Sequence, residues 1–172
     1  MKQAIEDALN QIAAPQMKLH KVLSTAIAAK MEEKVSAVFW RTADGFPVAQ
    51  SKLSKGEDTL EGADVFQIRT AKIDPDGQAR AITANFIHSL DATHMREVVQ
   101  AADFDTVMVH DSFGCHAGNY RELSAITRDK FAYIHKFDQV AQLNKLSKVN
   151  VEVPELGDYD PAEVEEAPYF FH

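Results

Sequence analysis

The chain has 172 residues, 45% of them hydrophobic, with 18 basic and 26 acidic side chains and a formal net charge of −8. That length supports one domain with a sizeable core, and the acidic balance excludes a general nucleic-acid binder, which would carry a positive surface. The charge is unevenly placed. Seven acids (Glu152, Glu155, Asp158, Asp160, Glu163, Glu165 and Glu166) fall in 149–172, which has no Lys or Arg, so the remaining 19 acids stand against all 18 bases. No apolar run approaches membrane-spanning length, and Glu6 and Asp7 stand where a targeting peptide would be basic. The one cysteine, Cys115, excludes an internal disulfide and fits a reducing compartment, so the expected location is cytoplasmic with no membrane partner.

Ile5, Leu9, Ile12 and Ala13 fall at helical spacing, as do Leu19, Val22, Leu23, Ala26 and Ile27. Pro15 lies between the sets, which predicts two helices or one kinked helix to about Lys34. Val35 to Arg41 is rich in Val, Phe and Trp and reads as a strand, with a hairpin turn at Asp44-Gly45 and a return from Phe46-Pro47-Val48. Ser51 to Ala63 is polar and reads as loop. Asp64 to Ile73 alternates as a strand, with Phe66, Ile68 and Thr70 on one face and Val65, Gln67, Arg69 and Ala71 on the other. Asp74-Pro75-Asp76-Gly77 reads as a further turn, so 51–78 becomes a projecting ribbon.

A helix follows from Asn85 to Ala102, with an inward stripe of Ile87, Leu90, His94, Val98 and Ala101 beside a second of His88, Asp91, Ala92, Met95 and Val99. Phe104 to Val109 reads as a buried strand, apolar on both faces, ending in a turn-prone Asp111-Ser112 pair with Gly114 soon after. A helix from Asn119 to Gln142 carries the row Tyr120, Leu123, Thr127, Phe131 and Ile134, with Ile126, Tyr133 and Phe137 alongside, and is expected to pack on the sheet. The tail is irregular and closes in Tyr169-Phe170-Phe171-His172, aromatics expected to dock. These elements give an α+β chain in three parts: a helical segment over 1–34, a body over 35–148 and an acidic tail over 149–172.

A carboxylate at the exposed end of a strand is held rigidly yet faces solvent, which makes Asp111 a natural metal ligand. Competing chemistries fail locally. His110-Asp111-Ser112 holds the residue types of a hydrolase triad, but consecutive strand residues point to opposite faces. Cys115-His116 lacks the spaced pairs of a zinc site. The glycines form no phosphate-cradling loop.

Several blocks, in order, carry a resemblance. Asn85-Phe86-Ile87-His88-Ser89-Leu90-Asp91-Ala92-Thr93-His94-Met95 resembles the NF(I/V)HSxDxxH(L/M) segment of the phage-type single-subunit RNA polymerases, both phage and organellar. Val109-His110-Asp111-Ser112-Phe113-Gly114 resembles their third catalytic motif, Asp44-Gly45-Phe46-Pro47-Val48 another shared segment, and Arg128-Asp129-Lys130-Phe131 the helix after the catalytic motif. Gly157-Asp158-Tyr159-Asp160 followed by the aromatic end is similar to their extreme C-terminus. The likeness covers roughly 35–172. Related DNA polymerases resemble HDE at the central motif, so Ser112 points to the RNA enzyme.

The resemblance implies a C-terminal palm and fingers portion of a right-hand polymerase, with a catalytic hairpin flanked by helices. It implies Asp111 as a ligand of the catalytic Mg²⁺ ions, His110 as shaping the same hairpin, and His88 near the initiating nucleotide and the hybrid. The 51–78 ribbon corresponds to a promoter-reading loop, where Gln67 and Arg69 are candidates by side-chain type. Phe171 and His172 belong to a terminal foot under the active site. The family's first catalytic motif, with its second metal-binding aspartate, and its nucleotide-binding helix have no match here. The chain therefore reads as a subunit or fragment of a split polymerase, inactive alone. Its partners would be one or more larger basic chains carrying those parts, template DNA, RNA product and ribonucleoside triphosphates. The alternative is a non-catalytic regulatory protein derived from such a polymerase.

Overall fold

The computed structural model describes residues 8, 11–32, 37–59, 65–136 and 159–170, with Glu32, 56–59 and 65–71 described by their backbone only. The predicted helix around Ile5 and Leu9 and the segment beyond Lys136 as far as Asp158 lie outside the described residues.

Helix α1 spans Ala14–Glu32. Pro15 sits in its first turn rather than kinking its middle, where the missing N–H has no intrahelical partner to lose. The predicted stripe holds. Leu23, Ile27 and Met31 are buried, and Leu19, Val22 and Ala26 pack beside them. Strands β1 (Val38–Arg41) and β2 (Pro47–Gln50) form an antiparallel hairpin. Its turn contains Gly45 at φ 80°, the left-handed conformation a hairpin turn asks of glycine. Alternation sends Val38 and Trp40 inward and leaves Phe39 exposed.

Strand β3 (Leu53–Thr59) pairs antiparallel with β4 (Val65–Ile73). The expected loop over 51–63 is thus corrected to a strand over Leu53–Thr59. Ser54-Lys55-Gly56-Glu57-Asp58 has little strand propensity, and cross-strand pairing overrides it. The expected turn at 74–77 is corrected as well. Asp74 is the N-cap of helix α2 (Pro75–Ala101), its carboxylate accepting from the Gly77 N–H at 2.8 Å, and Pro75 opens the first turn. A side chain at Gly77 would run into that carboxylate. Asp74→Ala is expected to destabilise the chain by about 1 kcal/mol, read as a shift in the denaturant midpoint at unchanged slope.

Helix α2 is 27 residues long, which gives about 40 Å, and it is the spine of the fold. Its first half packs on α1 and β2, where Ile82 and Phe86 join Leu23, Ile27, Val38 and Trp40 in the core. Trp40 Nε1 donates to Ser89 Oγ at 2.9 Å, and Gln50 Nε2 donates to the Gln78 backbone carbonyl at 2.9 Å. Of the expected stripe, His94 and Val98 are buried and Leu90 packs beside the core, while Ile87 and Ala101 are exposed; Phe86, Ser89 and Thr93 face inward in their place. The buried hydroxyls of Ser89 and Thr93 are satisfied by the chain, which hides the stripe from an apolar count.

Strands β5 (Thr106–Val109) and β6 (Ser112–Cys115) form a third antiparallel hairpin. The expectation of a buried β5 fails within this chain: Val107 is 67% and Val109 61% exposed. After a short 3₁₀ turn at Ala117–Asn119, helix α3 (Tyr120–His135) packs mainly on α2 and on the tail rather than on a sheet. Leu123, Thr127 and Ile134 are buried as expected, and Tyr120 is exposed. A 3₁₀ turn at Pro161–Glu165 buries Val164, and Phe170 docks on Phe131 while Tyr169 stays exposed. No helix among the described residues is long and apolar enough to cross a membrane.

Candidate active site

His110 and Asp111 are the two loop residues of the β5–β6 hairpin, closed by the Val109–Ser112 pair, so the turn falls one residue earlier than expected. His110 takes φ 55°, a left-handed backbone that favours glycine and costs about 1–2 kcal/mol for other residues. This backbone turns the chain tightly enough to set Asp111 at the tip, where its side chain is exposed and, among the described residues, has no polar partner. A two-residue hairpin turn ordinarily asks for a left-handed residue, and here it leaves the Asp111 carboxylate open to solvent.

Rigidity comes from below. Phe113 on β6 stacks edge-on against His94 of α2 at 5.3 Å, and His94 stacks on Phe131 of α3 at 5.7 Å. His94 is buried and its Nε2 donates to the Thr127 carbonyl at 2.8 Å. Burial pushes the imidazole below its ordinary pKa. The Thr127 carbonyl opposes this, His135 adds to it and Asp91 opposes it, with a net lowering. His94 is therefore neutral near pH 7.

His88 is exposed on α2 and lines a different feature, an open groove of about 320 Å³ between that helix and the β1–β2 hairpin. Trp40, Phe46, Val48, Asn85 and Arg96 also line it, and neither His110 nor Asp111 does. The rim is fixed by a network centred on Arg96 and Asp44. Arg96 Nε donates to Asp44 Oδ2 at 2.5 Å, its Nη2 donates to Asp44 Oδ1 at 3.0 Å and to Thr93 Oγ1 at 3.1 Å, and its guanidinium lies 4.6 Å from the Phe46 ring centroid. The Thr42 hydroxyl also donates to Asp44. Burial raises the Asp44 pKa, but hydrogen bonds from Arg96 and Thr42, the Arg96 charge and the Phe46 N–H outweigh it and hold the carboxyl below its ordinary value. The Asp-Gly turn signal masked this second role. The signal that could have found it is an arginine one turn past the buried Thr93 on the helix facing the turn.

Gln67 and Arg69 share one face of β4, opposite Glu57 and Lys55 of β3. Phe171 and His172 lie outside the described residues. Among the described residues no three His, Cys, Asp or Glu side chains gather as a metal site. Magnesium in a two-ion centre needs converging carboxylates. Asp111 fits one ligand position, and the described residues do not complete the set.

A family model described as DNA-dependent RNA polymerase matches residues 1–152. The chain is 32% identical over 147 residues to "DNA-directed RNA polymerase 2A" of Nicotiana tabacum, covering 78% of this chain and 44% of that protein. It is 32% identical over 149 residues to "DNA-directed RNA polymerase 1A" of the same plant, covering 78% of this chain and 95% of that protein. It is 31% identical over 151 residues to "DNA-directed RNA polymerase 1, mitochondrial" of Arabidopsis thaliana, covering 80% of this chain and 15% of that protein. The chain thus spans less than half the length of the first of these relatives. With the family matched over most of its length, the chain belongs to the phage-type DNA-dependent RNA polymerases.

Proposed function

We propose that this chain is the C-terminal palm and fingers portion of a DNA-directed RNA polymerase and supplies Asp111 to the site of nucleotidyl transfer. The observation that carries this role is the hairpin itself: a two-residue turn with His110 at φ 55° and an exposed Asp111 at its tip. Magnesium, when bound there, neutralises charge on the reacting phosphates and the attacking oxygen. Asp111 anchors from one side, His110 holds the turn, and the remaining carboxylate comes from polymerase residues outside these 172. The exposed Val107 and Val109 support that arrangement, because β-branched residues alternating on one uncovered face suit burial against a further strand. The near-neutral body supports it too, since a template channel needs positive charge that a larger basic chain would bring.

The test is template-directed incorporation of ribonucleotides and deoxyribonucleotides by the 172-residue chain, alone and with the polypeptides that co-purify with it. Ribonucleotide incorporation by the complex and silence of the chain alone are expected. Robust synthesis by the isolated monomer would refute the shared site, and no incorporation by any assembled complex would favour the regulatory alternative. His88 lies in a groove apart from the hairpin tip, and its resemblance to a family histidine near the first nucleotides supports a role in initiation. His88→Ala is accordingly expected to impair initiation more than elongation, measured as abortive against run-off product. Equal loss in both phases would assign His88 a structural role.

A further inference from the structure

We propose that His94 is a positioning residue for the Asp111 hairpin, coupling it through a row of stacked rings to the C-terminal segment that Arg128 anchors. The coupling rests on the placement of Asp111 in the nucleotidyl-transfer site only for its kinetic consequence, and its structural half stands independently. Four rings from four elements meet in series. Phe170 of the tail lies 4.9 Å from Phe131 of α3, Phe131 lies 5.7 Å from His94 of α2, and His94 lies 5.3 Å from Phe113 of β6. Interplanar angles of 73°, 77° and 64° make each contact edge-to-face, the arrangement in which the positive edge of one ring meets the negative face of the next. Such contacts fix ring orientation as well as distance.

Both ends of the row are tied. At the tail end, Arg128 Nη1 donates to the Val164 carbonyl at 2.6 Å and the Ala167 carbonyl at 2.5 Å, and its guanidinium lies 5.5 Å from the Phe170 centroid. At the hairpin end, Phe113 pairs in register with Met108, next to the Val109–Ser112 pair that closes the turn. In the middle, the bond from His94 Nε2 to the Thr127 carbonyl prevents the ring from rotating. A two-stranded hairpin is marginal alone, and the outer face of β5 is uncovered. Within the chain, the stack on His94 supports it from behind. Displacing Phe170 therefore moves Phe131, His94 and Phe113 in turn, and with them the tip that carries Asp111. A catalytic carboxylate tolerates only about 0.5 Å of misplacement, so a small shift suffices.

The experiment is amide hydrogen exchange on the full 172-residue chain. Arg128→Ala is expected to speed exchange in the 106–115 hairpin severalfold, although the polar contacts of Arg128 go to the tail. His94→Ala is expected to do the same, with Arg128→Ala adding nothing on that background because the row is already broken. His94→Phe keeps a ring in the row and is expected to restore most of the protection. In the assembled enzyme, Arg128→Ala and His94→Ala should lower kcat with KM for nucleoside triphosphates unchanged. The coupling is overturned by any of three results: hairpin exchange indifferent to Arg128→Ala, additive effects in the double variant, or acceleration spread equally over the α1 core. Coupled exchange with kcat unaffected would keep the coupling and reject the catalytic placement of Asp111.

Discussion

Asp111→Asn is expected to lower ribonucleotide incorporation by the assembled polymerase at least about a hundredfold, since metal-ion catalysis supplies several kcal/mol of charge stabilisation and each 1.36 kcal/mol is tenfold in rate. The amide has the shape of the carboxylate but lacks its charge. Asp111 is exposed at a hairpin tip and has no polar partner among the described residues, so the substitution should leave stability within about 0.5 kcal/mol. Assembly and melting temperature therefore serve as internal controls. Loss of synthesis with both unchanged, and a shift of the residual activity to higher Mg²⁺ concentration, is the expected pattern. Near-normal elongation by the variant would remove Asp111 from the metal site.

What made the hairpin legible in advance was local. An apolar β-branched run followed by His110-Asp111-Ser112 and a glycine encodes a strand and its turn, the return strand being implied by the resemblance alone, and the Asp44-Gly45 turn is readable from the same kind of local signal. The α1 stripe was readable because its apolar residues recur without interruption. The failures lie where a contact distant in sequence decides. The polar β3 strand exists through β4, which lies across the ribbon. The stripe of α2 is legible at Leu90, His94 and Val98 but not at Ser89 and Thr93, buried polar groups satisfied by the Phe86 and Ser89 carbonyls. Residues 74–77 have the composition of a turn, although Asp before Pro is equally a helix start. For the site, sequence pointed to the carboxylate and to His88. It did not point to His94, Arg96 or Arg128, whose roles depend on partners 33, 52 and 36 residues away.

Arg96→Ala is expected to destabilise the chain by about 2–3 kcal/mol, the penalty of leaving a largely buried carboxylate without its charged donor. The Asp44 side chain is 8% exposed and that of Arg96 28%, so the pair is partly screened on the arginine side, which sets the effect at the lower end for buried pairs. For a chain of this size that corresponds to a fall in Tm of roughly 4–12 °C. Arg96→Lys should recover only part of the loss, because one ammonium cannot form the two-pronged contact or stack on Phe46. Arg96→Ala combined with Asp44→Ala should be less destabilised than Arg96→Ala alone, since the orphaned charge is gone. The pH dependence carries a definite sign. The folded pKa of Asp44 lies below its unfolded value, so the unfolded chain binds the proton more readily. The stabilisation is fully present above about pH 4 and is lost as pH falls through the lower folded value. The gap in stability between the native chain and Arg96→Ala should therefore narrow as the acid limb is approached, measured by urea denaturation at stepped pH. A gap that stays constant down to the acid transition would assign the loss to the arginine stem packed on Phe46, and not to its charge on Asp44.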